Sequence, residues 1–148
     1  MVSNIIGQGR QREVMRIIVK VSKLSLLYAM IVCALLLTFS GTFLSIYSSD
    51  QALIDFAIPS LRVIVLATLI MSVSTVVFNG VVGTGNTLIN LTMEISSILA
   101  YLVYCYFFIY RMQSKLYICW GSEFIYWISL LTGSIIYLKS GRWKGKTI

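Results

Sequence analysis

Charged residues are sparse along this chain, and long apolar runs separate them. Leu24–Ser49 carries no charge between Lys23 and Asp50, and Val63–Met93 carries none between Arg62 and Glu94. Gly83-Thr84-Gly85-Asn86-Thr87 interrupts the second run. Leu88–Tyr110 contains only Glu94, and Leu116–Leu138 only Glu123. A helix needs about 20 apolar residues to cross the hydrocarbon of a bilayer. The runs therefore predict four transmembrane helices, at residues 22–40, 57–82, 88–110 and 117–138. Barrel strands would be about 10 residues of alternating polarity, and no such alternation is present. A signal peptide has an apolar run of about 7–15 residues; the first run here is longer and follows a long basic arm. Ser40-Gly41 is placed to end the first helix, which leaves Thr42–Tyr47 at the interface. Ser48-Ser49 before Asp50-Gln51 reads as the start of the second helix. Pro59 then falls early in that helix, where its missing N–H costs little.

Composition narrows the class. Hydrophobic residues make up 58% of the 148 and charged residues 11%, against about 25% charged in soluble domains. Too few charges remain to cover a water-soluble surface, which excludes disorder, a fibrous protein and an ordinary cytosolic enzyme. The expected fold class is all-α, a polytopic membrane helical bundle running through residues 1–148. Lys and Arg number 12 against 5 Asp and Glu. Most of them lie in a basic arm over residues 10–23 (Arg10, Arg12, Arg16, Lys20, Lys23) and a tail over 139–148 (Lys139, Arg142, Lys144, Lys146). Four spans put both ends on one side, and the positive-inside rule makes that side the cytoplasm. The chain is thus expected in the cytoplasmic (inner) membrane. Tyr47, Tyr110, Tyr117 and Trp120 fall near the outer interface, and Tyr28 and Trp143 near the inner one, as aromatic belts do. The net charge of +7 needs no nucleic-acid partner. Arg12, Arg16, Lys20 and Lys23 form one stripe of a helix, with Val14, Ile17, Ile18 and Val21 on the other side. Each such charge contributes about 1 kcal/mol beside anionic headgroups; a specific lipid or regulatory site is the alternative.

The chemical inventory is thin. There is no His, and Cys33, Cys105 and Cys119 are scattered over three spans without a C-x-x-C. No metal site, thiol-redox site or nucleophilic triad can be assembled from it, so neither an enzyme nor a resident cofactor is expected. Glu94 and Glu123 differ in depth by about 10 Å or more at ~1.5 Å per residue, too far to act as an acidic dyad.

Polar residues inside the spans carry more information. Thr68, Ser72, Thr75 and Asn79 fall in a narrow arc of the second helix. Asn90, Glu94, Ser97, Tyr101, Tyr104 and Phe108 share one side of the third. Polar faces in a membrane point at protein or at a water-filled cavity. They serve either as helix–helix glue or as a transport path, for which the candidates are Thr68, Ser72, Thr75, Asn79, Asn90, Glu94 and Tyr101. Glu94 lies close enough to the inner end of its span to reach the headgroups. Asp55 and Arg62 lie about two turns apart and are expected to form an interfacial ion pair or to touch headgroups. Gly83, Gly85 and Asn86 form a tight turn between two helices, and Gly7 and Gly9 form a similar one near the N-terminus. Without a preceding strand, the glycines are no phosphate cradle.

Taken together, several of these pieces resemble the multidrug and toxic compound extrusion (MATE) family. They are Val2–Arg10, Ser49-Asp50, Pro59-Ser60-Leu61-Arg62, Gly83-Thr84-Gly85-Asn86-Thr87 and Ser140-Gly141-Arg142-Trp143-Lys144. Asn86 stands where the family usually has Asp. The resemblance implies twelve helices in two lobes, of which this chain carries the last four and the end of the eighth. It implies cation-coupled (Na⁺ or H⁺) export of drugs or metabolites by alternating access. The partners it implies are the lipid bilayer, the missing N-terminal lobe and small organic substrates, cationic ones among them. In several members an acidic residue of the tenth helix takes part in coupling, but Val63–Val82 is acid-free. A lipid-linked precursor flippase of the same superfamily and a non-transporting four-helix accessory protein are the alternatives.

Overall fold

The periodicity of the basic arm decides where the first long helix begins. In the computed structural model, which describes residues 2–144, α1 (Val2–Gly7) turns sharply into α2, and α2 runs unbroken over Gln11–Thr38. Lys146 and the rest of the tail beyond residue 144 lie outside the described residues. The helical arm is thus continuous with the span predicted from residue 22, because no breaker stands between Arg12 and Lys23. Val14 and Ile18 are buried while Arg12, Arg16, Lys20 and Lys23 are exposed, so apolar and basic stripes share one helix. At ~1.5 Å per residue α2 is about 42 Å long, longer than the ~30 Å of hydrocarbon. The excess of about 12 Å is about two turns, and the basic residues of the arm assign it to the start of α2, outside the hydrocarbon. Phe39 breaks the helix, and a short α3 (Ser40–Ser45) follows.

Asp50 opens α4 (Gln51–Val82), its carboxylate accepting from the Ala52 N–H at 2.9 Å. Pro59 is consequently two turns inside α4 rather than in its first turn. The carbonyl of Asp55, four residues back, loses its intrahelical donor. Asp55 and Arg62 form no ion pair: the Asp55 carboxylate accepts from the Gln51 side chain at 3.1 Å. The one ion pair among the described residues joins Arg10 to Glu13.

α5 (Thr87–Cys105) continues into a π-helical turn over Tyr106–Arg111, where a regular α-helix was predicted. Its fourth-span successor is divided. A single turn, α6 (Leu116–Cys119), is followed by a bend at Trp120-Gly121 and then by α7 (Ser122–Ser140). Three helical stretches, Gln11–Thr38, Gln51–Val82 and Thr87–Arg111, are long and apolar enough to cross a membrane. α7 is shorter at 19 residues and carries Glu123 in its first turn and Lys139 in its last.

The long helices form an open row. α4 lies between α2 and α7, and α5 packs on α7 rather than on α4, although a tight turn joins α4 to α5. The main core closes one end of the row. Val2, Ile5 and Ile6 of α1 meet Val14 and Ile18 of α2, Val77 and Val81 of α4, and Tyr137 and Leu138 of α7. Both chain ends therefore share this end, as an even number of passes requires. Gly141, at φ 68°, turns the chain after α7. Trp143 then folds back into the cluster, 1% exposed, with its indole N–H donating to the Leu138 carbonyl at 2.9 Å. It is a core residue, not the interfacial anchor its position suggested.

Candidate functional site

The polar face of α4 is only partly satisfied by its own helix. The Thr68 hydroxyl donates to the Ile64 carbonyl at 2.9 Å, and the Ser72 hydroxyl to the Leu69 carbonyl at 2.8 Å. The Ser72 carbonyl in turn accepts from Ser25 of α2 at 3.0 Å. The first two bonds stay within α4; only the bond from Ser25 is the interhelical glue that small hydroxyls supply in membranes. Thr75 differs, because its buried hydroxyl oxygen has no hydrogen-bond partner. Asn79 is exposed and lines a cleft of about 460 Å³ with Ser3, Ile18, Val76 and Gly83. Along α4 the face thus passes from bonded hydroxyls to an orphan and then to an open amide.

The polar face of α5 turns out to be mainly its seam with α7. Ser97 is the one buried residue of α5. Met93 lies against Gly133, with 3.7 Å between its Cγ and the place a Cβ would occupy there. The Tyr104 hydroxyl donates to the Ile118 carbonyl of α6 at 2.8 Å, and its ring stacks on Phe108 at 4.3 Å. Tyr101 sits beside Cys105, Ser122 and Glu123. It lines a groove of about 290 Å³ that also holds Glu123, Tyr126 and Trp127. Glu123 accepts from the Trp127 indole at 3.0 Å. Glu94 is exposed at the edge of the seam, within electrostatic reach of Tyr126. Asn90 is half-buried, with its side-chain oxygen buried and unpartnered. Packing does not join the α4 and α5 faces directly, since α7 is the neighbour of both helices.

The turn between α4 and α5 needs its glycines for two different reasons. Gly85 adopts φ 75°, a left-handed conformation that favours glycine. Gly83 has an ordinary helical φ of −64°. It is needed for close approach instead, as a Cβ there would stand 2.6 Å from that of Val2. Asn86 caps α5 by accepting from the Ile89 N–H at 3.4 Å. Tyr137 latches the turn to α7, its hydroxyl lying 3.4 Å from both the Thr84 hydroxyl and the Asn86 amide. Near the N-terminus, Gly9 is the left-handed residue at φ 73°, while Gly7 ends α1 in open space. Sequence reasoning missed Tyr137 and Trp143 because both bind across the fold, where no local spacing signals them.

The family model described as MatE matches residues 1–107. No curated protein and no solved structure matches the chain. The matched span ends in the π-helical turn, so the ending Ser140–Lys144 lies outside it. Within it fall the basic arm, both tight glycine turns and the whole polar face of α4. Long apolar helices and this match together place the chain, a multi-pass membrane protein, in the MatE family of transporters.

Proposed function

We propose that this chain supplies the last four helices of a twelve-helix antiporter that exports drugs or metabolites through the cytoplasmic membrane. Entry of Na⁺ or H⁺ drives the export, and two lobes rock around a central cavity. The Lys and Arg residues of the arm and tail put both ends of the segment in the cytoplasm. One observation carries the reading: α4 buries the Thr75 hydroxyl without a partner one turn from the open Asn79 amide. An orphan hydroxyl in hydrocarbon is costly, and a substrate or water in a cavity beside α4 would satisfy it. Asn90 adds a second unpartnered acceptor on α5. Val63–Val82 holds no acid, so no coupling residue is assigned to this chain. Tyr101 supports the groove beside Glu123, and Glu94 stands at its edge.

The test is gradient-driven ethidium efflux by the complete transporter that contains this segment, reconstituted in proteoliposomes. Thr75→Val and Asn79→Ala are each expected to slow efflux roughly three- to twentyfold, the equivalent of ~0.6–1.7 kcal/mol per lost polar contact. Reconstituted protein levels should stay unchanged. Efflux that ignores both substitutions, or that needs neither a Na⁺ nor a H⁺ gradient, overturns the proposal. Efflux by these 148 residues alone would overturn the assignment to a larger pump.

A further inference from the structure

A cleft of about 370 Å³ opens between α2, α4 and α7 toward the end that carries both chain termini. Ile18, Val73, Val77 and Leu131 wall it, so its interior suits hydrocarbon. Lys23 from α2 and Lys139 from the last turn of α7 also line it, and no acidic residue does. Ser22, next to Lys23, lines it too, 9% exposed, with a buried hydroxyl oxygen that has no hydrogen-bond partner. Among the described residues it shares that state with Thr75 and Asn90. Thr38, Thr68, Thr92 and Ser134 all donate to the carbonyl four residues back in their own helix, at 2.7–2.9 Å. Ser22 could do the same at no cost, and instead its hydroxyl is left for something in the cleft.

We propose that this cleft binds one anionic phospholipid of the leaflet beside the chain termini. An acyl chain fills the apolar interior. The headgroup phosphate sits between the ammonium groups of Lys23 and Lys139, and the Ser22 hydroxyl donates to a phosphate or ester oxygen. Basic pockets between transmembrane helices suit anionic headgroups in this way. Lys side chains at helix ends reach the interface with their charged tips while their stems cover apolar surface. Neither Thr75 nor Asn79 lines this cleft, so the proposal is tested by other residues than the transport path.

The experiment is native mass spectrometry of the full chain after reconstitution with phosphatidylglycerol and phosphatidylcholine in equal amounts. Retention of one phosphatidylglycerol in preference to phosphatidylcholine is expected. Lys23→Gln and Lys139→Gln should each cut its occupancy about fivefold, and Ser22→Ala should lower it further. Lys115→Gln, far from the cleft, should leave it unchanged and controls for general charge effects. Equal retention of the two lipids, or retention in the double Lys23→Gln/Lys139→Gln variant, overturns the site. Two further arms identify the occupant. Diacylglycerol retained as well as phosphatidylglycerol would mean that the lysines read no headgroup. Inorganic phosphate raising the melting temperature as much as phosphatidylglycerol would make the occupant a free anion. Either result overturns the phospholipid assignment.

Discussion

The two ends of the helix row are held by different forces. At the end with the chain termini, α1, the projecting turns of α2, the ends of α4 and α7 and Trp143 close on one another. Val14, Val81 and Trp143 are at most 1% exposed there. At the opposite end, α3, the π-helical turn and α6 form a loose rim where Tyr47, Tyr106, Tyr110 and Met112 are exposed. Single hydrogen bonds hold that rim, such as Tyr104 to the Ile118 carbonyl. The contrast has a physical cause. Between helices inside lipid, burying apolar surface brings no net gain, because lipid tails are as apolar as the side chains they replace. Apolar groups gain from burial only where the alternative is water. The first turns of α2 reach past the hydrocarbon, so Val14 and its neighbours would otherwise meet water. A core of the kind found in soluble proteins therefore forms at that end.

Trp143→Ala tests this directly and should have the largest effect. Truncating a buried Trp in a water-facing core costs about 3–5 kcal/mol, and the bond to the Leu138 carbonyl goes with it. Thermal unfolding in detergent, followed by far-ultraviolet circular dichroism, measures the loss. A change below about 1 kcal/mol would mean that lipid or detergent replaces the indole without penalty, and the contrast between the ends would collapse.

Tyr104→Phe is the counterpart at the far end. It removes one hydroxyl and one hydrogen bond and keeps the ring stacked on Phe108. Membrane hydrogen bonds of this type contribute about 0.6 kcal/mol on average. The same unfolding measurement should therefore show several times less destabilisation than for Trp143→Ala. A loss equal to that of Trp143→Ala would show that the rim, too, is a cooperative core.

What the sequence made legible follows the same division. The apolar runs placed the helices, because one solvent, lipid, selects for length and lack of charge alone. The alternation of Arg12, Arg16 and Lys20 with Val14 and Ile18 showed that the arm is helical with one buried face. What stayed hidden depends on partners distant in sequence. Gly83 was legible as part of a tight turn, but its role in admitting Val2, which lies at the far N-terminus, was not. Trp143 looked like an interfacial anchor, and only the position of α1 turns it into core. Asn90, Ser97, Tyr101 and Tyr104 read as one polar face of α5, serving either as helix–helix glue or as part of a transport path. A seam with α7 has the same 3.6-residue spacing as a cavity lining, so spacing could not separate the two. The bend at Trp120-Gly121 and the π-helical turn were invisible for a related reason, since both are local departures within uniformly apolar sequence. Thr75 and Asn79 were legible as polar positions, while the absence of a partner for the Thr75 hydroxyl required coordinates.

The smallest effect belongs to the arm's ion pair, and it shows whether charge or burial stabilises the packed end. The Arg10 guanidinium donates to both carboxylate oxygens of Glu13, at 3.0 and 2.7 Å. Both groups stand in water outside the hydrocarbon. The hydrogen bond from Arg10 is the main cause that holds the Glu13 carboxyl below its usual range, with the charges of Arg10 and Arg16 adding to it. A carboxyl whose folded pKa is depressed stabilises the fold above its unfolded pKa of about 4.3. That contribution is lost as pH falls through the lower folded value. Glu13→Gln should therefore lower the melting temperature slightly at neutral pH, and the gap should close as pH falls below the usual carboxylate range. About 1 M salt, with a screening length of ~3 Å, should shrink the gap at neutral pH as well. Exposed pairs of this kind contribute little, so the gap should be smaller than that of Tyr104→Phe. A gap that exceeds it, or one that survives acid and salt, would shift the stability of this end from the burial of Trp143 and Val14 to the basic arm.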